Sequence, residues 1–131
     1  MKRCLIIVCI LILGHASGAR AAGSGADTGN DLVRICHLAV RLMDGDRGLT
    51  PSQGMDGQMC LGYVGGFSDG LIFLPNPRVA ATICPPHGST WGQSVRVLSK
   101  WLDEHPAKLN EQWPALIFQA FHDAWPCKTK N

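Results

Sequence analysis

The chain has 131 residues, with twelve Lys and Arg against ten Asp and Glu, and six cysteines. That length suits one small domain. The near-neutral balance argues against a protein whose work is to grip nucleic acid, because such affinity comes from neutralising phosphates.

Met1-Lys2-Arg3 is a short basic segment, Cys4 to Leu13 is an unbroken apolar run, and Ala19-Arg20-Ala21 fits an A-x-A cleavage site. This is the pattern of a secretory signal peptide over residues 1–21. Its apolar run is about half of the ~20 residues that a spanning helix needs, so no membrane contact is expected after cleavage. Cys9 follows Ile6-Ile7-Val8 in the middle of that run, which is no lipobox. Cleavage removes Lys2, Arg3 and Arg20 and leaves nine basic residues against ten acidic ones. It also removes Cys4 and Cys9, leaving Cys36, Cys60, Cys84 and Cys127. Four cysteines in a small exported chain point to two disulfides, and three connectivities are open.

Ala22 to Gly29 reads as a flexible leader of small residues, and residues 30–131 as one helical domain. Leu32, Ile35, Cys36, Ala39, Val40 and Met43 recur at steps of three and four and predict a first helix, capped by Asn30 or Thr28. Residues 44–57, DGDRGLTPSQGMDG, are turn chemistry and predict a loop. Cys60, Val64, Phe67 and Leu71 then share one face of a second helix. Gly62, Gly66 and Gly70 recur every four residues along another stripe of it. Each glycine costs a helix about 0.5–1 kcal/mol relative to alanine, so the stripe is expected to serve packing, against a neighbouring helix or a second subunit. On that reading leucine at Gly66 would overpack and destabilise.

Pro75, Pro77, Pro85 and Pro86 bracket a connector that contains Cys84. Thr90-x-x-Gln93 is a capping box, and Val95, Val97, Leu98, Trp101 and Leu102 carry a third helix that stops before Pro106. Asn110 to Trp113 offers a fourth start, with Pro114 in the first turn. Leu116, Ile117, Ala120, Phe121 and Ala124 form its apolar face. The expected fold is all-α, a small disulfide-stapled bundle of about four helices.

No catalytic constellation assembles. His122 and Asp123 are adjacent, so on a helix they splay about 100° apart and are not expected to pair. There is no G-x-S-x-G, and no nucleophile has a base beside it. Ile35-Cys36-His37 ends like a haem attachment site, but C-x-x-C-H needs a cysteine where Val33 stands. Cys84-Pro85-Pro86-His87 has the spacing of half a zinc site, yet thiols in an oxidising compartment pair with one another. No catalytic residue, metal or cofactor is expected. Trp91, Trp101, Trp113 and Trp125 read first as helix packing, and second as a recognition surface.

One ordered pattern runs from Gly29 to Cys127: Gly29-Asn30-x-Leu32 and Cys36, then Cys60-x-Gly62-Tyr63-x-x-Gly66-x-x-Asp69. It continues with Cys84-Pro85, Gln93-x-Val95-Arg96-Val97, Trp101-Leu102-x-x-His105-Pro106, and ends at Trp125-Pro126-Cys127. This resembles the Rap/Tai family of immunity proteins, which protect bacteria from type VI secretion amidase effectors. In that family small exported helical proteins, often homodimers, bind a cell-wall amidase in the periplasm and cover its active-site cleft.

The resemblance implies an amidase effector as partner and the bridges Cys36–Cys60 and Cys84–Cys127. A blocker of a cleft needs no chemistry of its own, only a rigid scaffold with little ordering left to do on binding. The connector between the last two helices mixes both charges and has little core duty, so Glu104, His105, Lys108 and Glu111 are the candidate contacts. Two other readings share the exported helical scaffold: a periplasmic binding or chaperone-like module without a toxin partner, and a small secreted hydrolase.

Overall fold

The structure is a computed structural model that describes residues 28–72 and 82–128. The expected signal peptide, the leader as far as residue 27, and Pro75 and Pro77 lie outside the described residues. Four helices follow in order: α1 (Gly29–Met43), α2 (Pro51–Ile72), α3 (Trp91–Glu104) and α4 (Trp113–Ala124). A short 3-10 turn, Pro106–Lys108, joins the last two. Among the described residues no helix is long and apolar enough to cross a membrane.

The apolar stripes meet as their spacing predicts. Leu32, Ile35, Cys36 and Ala39 of α1 face Cys60 and Val64 of α2. Val95, Leu98, Trp101 and Leu102 of α3 face Trp113, Leu116, Ile117, Ala120 and Phe121 of α4, and all these residues form one buried core. α3 starts where Thr90 and Gln93 satisfy each other's backbone N–H groups, the reciprocal capping box read from the sequence. Thr28 and Gly29 belong to the domain and not to the leader. Thr28 stands at the N-cap of α1, and its carbonyl accepts the indole N–H of Trp113 at 2.8 Å. Gly29 is buried because the chain leaves no room for a side chain there: a Cβ would lie 2.7 Å from the Cα of Leu109.

Two expectations need correction. The segment 44–57 is a loop only as far as Thr50, because α2 begins at Pro51. Thr50 and Gln53 cap it reciprocally, with Gln53 Oε1 accepting from the Thr50 N–H at 2.9 Å and Thr50 Oγ1 accepting from the Gln53 N–H at 3.3 Å. Pro51, in the first turn, lacks only an N–H that a helix start leaves unpaired.

The second correction concerns the glycines. Gly62, Gly66 and Gly70 are exposed, and a Cβ on any of them would meet nothing within 4 Å among the described residues. They pack against none of the described helices. Close approach occurs at Gly57, where a Cβ would sit 3.1 Å from the backbone of Leu38 and Ala39, and at Gly65, where it would sit 2.6 Å from the Trp91 ring. Backbone cannot yield as a side chain can, so Gly57 fixes the separation of α1 and α2. Gly57→Ala is therefore expected to lower stability by about 1–3 kcal/mol through overpacking. Gly66→Ala should raise it by about 0.5–1 kcal/mol through helix propensity. Opposite shifts in thermal melts of the two variants would bear this out; equal shifts would refute it.

Two disulfides staple the bundle. Cys36–Cys60 ties α1 to α2 with both sulfurs buried in the core (Cα–Cα 5.2 Å), and Cys84–Cys127 ties the residues before α3 to the tail after α4 (Cα–Cα 4.9 Å). The pairing is the one the family resemblance implied. Beside the second bridge, the Cys84 N–H donates to the Trp125 carbonyl at 2.8 Å and the Cys127 N–H to the Thr82 carbonyl at 3.2 Å. The tail is thus held by backbone as well as by sulfur.

Candidate partner-binding surface

The connector between α3 and α4 is built as a rigid surface feature. α3 ends at Glu104, since Pro106 cannot continue the helical hydrogen bonding, and Pro106–Lys108 makes one tight turn instead. His105 folds back onto the residue four positions earlier. Its ring stacks on Trp101 with centroids 4.0 Å apart and planes within 14°, and its Nδ1 lies 2.7 Å from the Trp101 carbonyl oxygen. A carbonyl only accepts, so Nδ1 carries the proton and donates, which leaves Nε2 of the neutral ring as an acceptor. The Lys108 amine reaches over the same indole, 5.6 Å from the ring centroid.

Lys108 and Glu111 come together through a residue the sequence did not single out. Lys108 Nζ donates to Gln119 Oε1, and Gln119 Nε2 donates to Glu111 Oε2 at 2.6 Å. All three side chains are half-buried, so Lys108 and Glu111 hold the connector down on α4 as much as they face solvent. The start of α1 adds two ties: Asn30 Nδ2 donates to the Leu109 carbonyl at 3.3 Å, and the Gly29 N–H to the Glu111 carbonyl at 3.2 Å.

Glu104 and His105 belong to a different part of the surface. They line a groove of about 380 Å³ together with Lys100, Trp101, Asp123 and the small side chains of Ala120 and Ala124. Glu104 is exposed and pairs loosely with Lys100 at 3.8 Å. The Trp101 indole N–H donates to Asp123 Oδ2 at 2.9 Å. That hydrogen bond holds the Asp123 carboxyl below its ordinary value, against a smaller opposing effect of burial, and His122 adds to the lowering. His122 and Asp123 do approach, with Nδ1 and Oδ1 3.5 Å apart, contrary to the expectation that they would splay. Both side chains are about half exposed, so each is free to swing round the helix toward the other.

The four predicted contact residues therefore divide into two pairs, with Trp101 between them. Lys100, Trp101, Gln119 and Asp123 complete the surface. Of these, the Trp101–His105 stack was legible as an i, i+4 spacing, whereas Trp101–Asp123 spans 22 positions and two helices. Of the other tryptophans, Trp113 is in the core, and Trp125 is half-buried against Phe121 at 5.1 Å. Trp91 is half-exposed and lies on Gly65, where its indole N–H donates to Asp69 at 3.4 Å. None of the described His, Cys, Asp and Glu side chains forms a group of three able to hold a metal ion.

A family model described as Rap1a immunity proteins matches residues 28–127, the described domain almost end to end. The chain belongs to that family. No curated protein matches it, and no solved structure does. Rap1a membership gives the rigid, stapled surface a purpose, because an immunity protein implies a partner effector that it must bind. The glycines and cysteines of the ordered sequence pattern all fall within the matched span.

Proposed function

We propose that this Rap1a-family chain is exported to the periplasm, loses residues 1–21, and there binds and occludes the active site of a type VI secretion peptidoglycan amidase. It performs no chemistry of its own. The observation that carries the reading is the family match over residues 28–127, and the surface of the last two helices is compatible with it. A partner meeting that surface finds Glu104 and His105 at the rim of a groove, on a connector whose turn is already locked by Trp101, Gln119 and Pro106. Little ordering remains to be done on binding, which favours affinity.

The test is protection. Cells that direct a cell-wall amidase effector encoded in the neighbourhood of this chain's gene to the periplasm, where such a neighbour is found, are expected to survive when the wild-type chain is co-exported. Failure to protect against any neighbouring amidase would remove the proposal. The double variant Glu104→Ala/Lys108→Ala is expected to weaken binding at least tenfold. Glu104 would lose a rim contact, and Lys108 the tie that positions the connector. Full affinity in the double variant would move the contact surface elsewhere and leave the function standing.

A further inference from the structure

A pocket of about 420 Å³ opens between the end of α2, the residues before α3 and the first turn of α3. That volume is in the usual range for a site that holds a small molecule. Leu71, Ile83, Pro85 and Phe121 give it apolar walls, and Trp91 supplies a large ring. The ring is laid on Gly65, yet Trp91 stays 51% exposed, so much of the indole is open to an occupant.

Three polar side chains of the lining have their hydrogens already committed. The Trp91 indole N–H donates to Asp69 Oδ1 at 3.4 Å, the Ser68 hydroxyl to the Val64 carbonyl at 2.8 Å, and the Ser89 hydroxyl to the Pro86 carbonyl at 2.7 Å. What remains on offer is lone pairs, on the Asp69 carboxylate and on two hydroxyl oxygens that can only accept. Ser94, also in the lining, is a hydroxyl that can turn to accept as well. Asp69 is the only charged residue of the lining, and among the described residues no basic group forms an ion pair with it. The backbone adds to the negative side. Asp69 and Leu71 stand in the last turn of α2, the negative end of a helix dipole, and that turn holds no basic residue. At the start of α3 the Thr90–Gln93 box already takes the Thr90 and Gln93 N–H groups, which weakens the opposing pull on an anion.

We infer that this pocket binds an organic cation, a guanidinium or ammonium group carried on an apolar stem. The head donates to Asp69 and to the Ser68 and Ser89 oxygens, and the Trp91 ring attracts its charge. The stem lies against Leu71, Ile83 and Phe121. An anion would meet the carboxylate and find no lining side-chain N–H left to receive it. A neutral hydrocarbon would strip water from the carboxylate without replacing those hydrogen bonds. Two sources share the required chemistry: a free alkylamine or alkylguanidine, and a lysine or arginine side chain presented by a protein.

The site is independent of the amidase reading, and its test needs no effector. The oxidised, exported chain, isotope-labelled for NMR, is titrated with n-butylguanidinium. The Trp91 indole N–H is expected to shift saturably, with a dissociation constant on the order of 1 mM. Pentanol, similar in length and uncharged, should bind weaker by about tenfold or more. Asp69→Asn keeps the shape and an acceptor for the indole at an exposed position, so it should melt as the wild type does. Its affinity for butylguanidinium should nevertheless fall by about tenfold or more. N-acetylarginine methylamide, whose backbone must continue out of the pocket, separates the two sources. Binding as tight as that of butylguanidinium supports the site and assigns it to a protein side chain; weaker binding supports it and assigns it to a free small molecule. No saturable shift of Trp91 up to about ten times the expected constant would overturn the inference. So would pentanol binding as tightly as the cation, or an Asp69→Asn variant that binds the cation unchanged.

Discussion

Replacing Cys36 and Cys60 together by alanine is expected to destabilise the domain by about 3–5 kcal/mol, one of the largest effects available to a paired substitution here. The bridge closes a loop with a sequence separation of 24, for which the chain-entropy model gives about 3.5 kcal/mol. Both sulfurs are also fully buried in the core, so the variant loses their packing as well. For a domain of this size each kcal/mol moves the melting midpoint by about 4–8 °C, and the drop should be obvious by calorimetry without reductant. Alanine is the informative replacement, because serine would add buried hydroxyls that cost about 1–3 kcal/mol when left without partners. A loss below about 1 kcal/mol would mean that the packing of α1 on α2 fixes their register unaided.

Trp101→Ala should cost about 3–5 kcal/mol, for a reason that reaches beyond the core. Trp101 is buried against α4, yet its indole supports the His105 stack, the Lys108 amine and the Asp123 carboxylate at once. Removing it opens a cavity and frees the connector, so hydrogen exchange at residues 105–111 should quicken more than the global loss explains. Trp101→Phe keeps most of the volume and deletes the N–H, which separates the two effects.

The phenylalanine variant also makes a pH prediction with a definite sign. Because Asp123 has its pKa lowered in the folded state, first by the Trp101 hydrogen bond, it contributes stability above the ordinary carboxylate value of 3.8. That contribution is lost as pH falls below 3.8 toward the depressed folded value. In Trp101→Phe the folded pKa should rise toward the ordinary value, visible in the carboxyl chemical shift, and acid unfolding should lose that component. Asp123 is largely exposed, so the effect is small beside the cavity cost. An unchanged carboxyl titration in the variant would contradict the assigned cause.

Much of the fold could be read from residue types because local and tertiary signals agree. The Thr90–Gln93 box and the apolar stripe of α3 point to one answer, and so do Pro114 and the face from Leu116 to Phe121. The first two turns of α2 were misread because their one large apolar side chain, Met55, faces outward and gives no core periodicity. Yet Thr50 and Gln53 repeat the spacing that marked α3, and that repeated cap was the legible clue.

The expectation that the glycine stripe packs on a neighbouring helix of the same chain failed for a similar reason. Gly57 lies three and seven residues before Cys60 and Val64, in phase with the core stripe, whereas Gly62, Gly66 and Gly70 lie out of phase with it. Regular spacing shows which glycines share a face, and only the apolar phase shows whether that face is inward. The candidate surface was legible as a connector between two helices. Its organising contacts, Trp101 with Asp123 and Lys108 with Gln119, depend on how helices distant in sequence cross, which no local pattern encodes.

The disulfide connectivity has a consequence for how the domain is made. Each of the two bridges joins neighbours in the order Cys36, Cys60, Cys84, Cys127, so neither loop encloses a cysteine belonging to the other. On the proposed export route, a chain threaded out amino end first exposes Cys36 and Cys60 before Cys84 follows. An oxidant that joins thiols in order of arrival therefore writes the native pairing directly, whereas a nested or crossed pattern would require a wrong bridge to be broken and exchanged. On the proposed export route the native pairing needs oxidising power and no exchange of mispaired sulfurs, which is a slow step where it occurs.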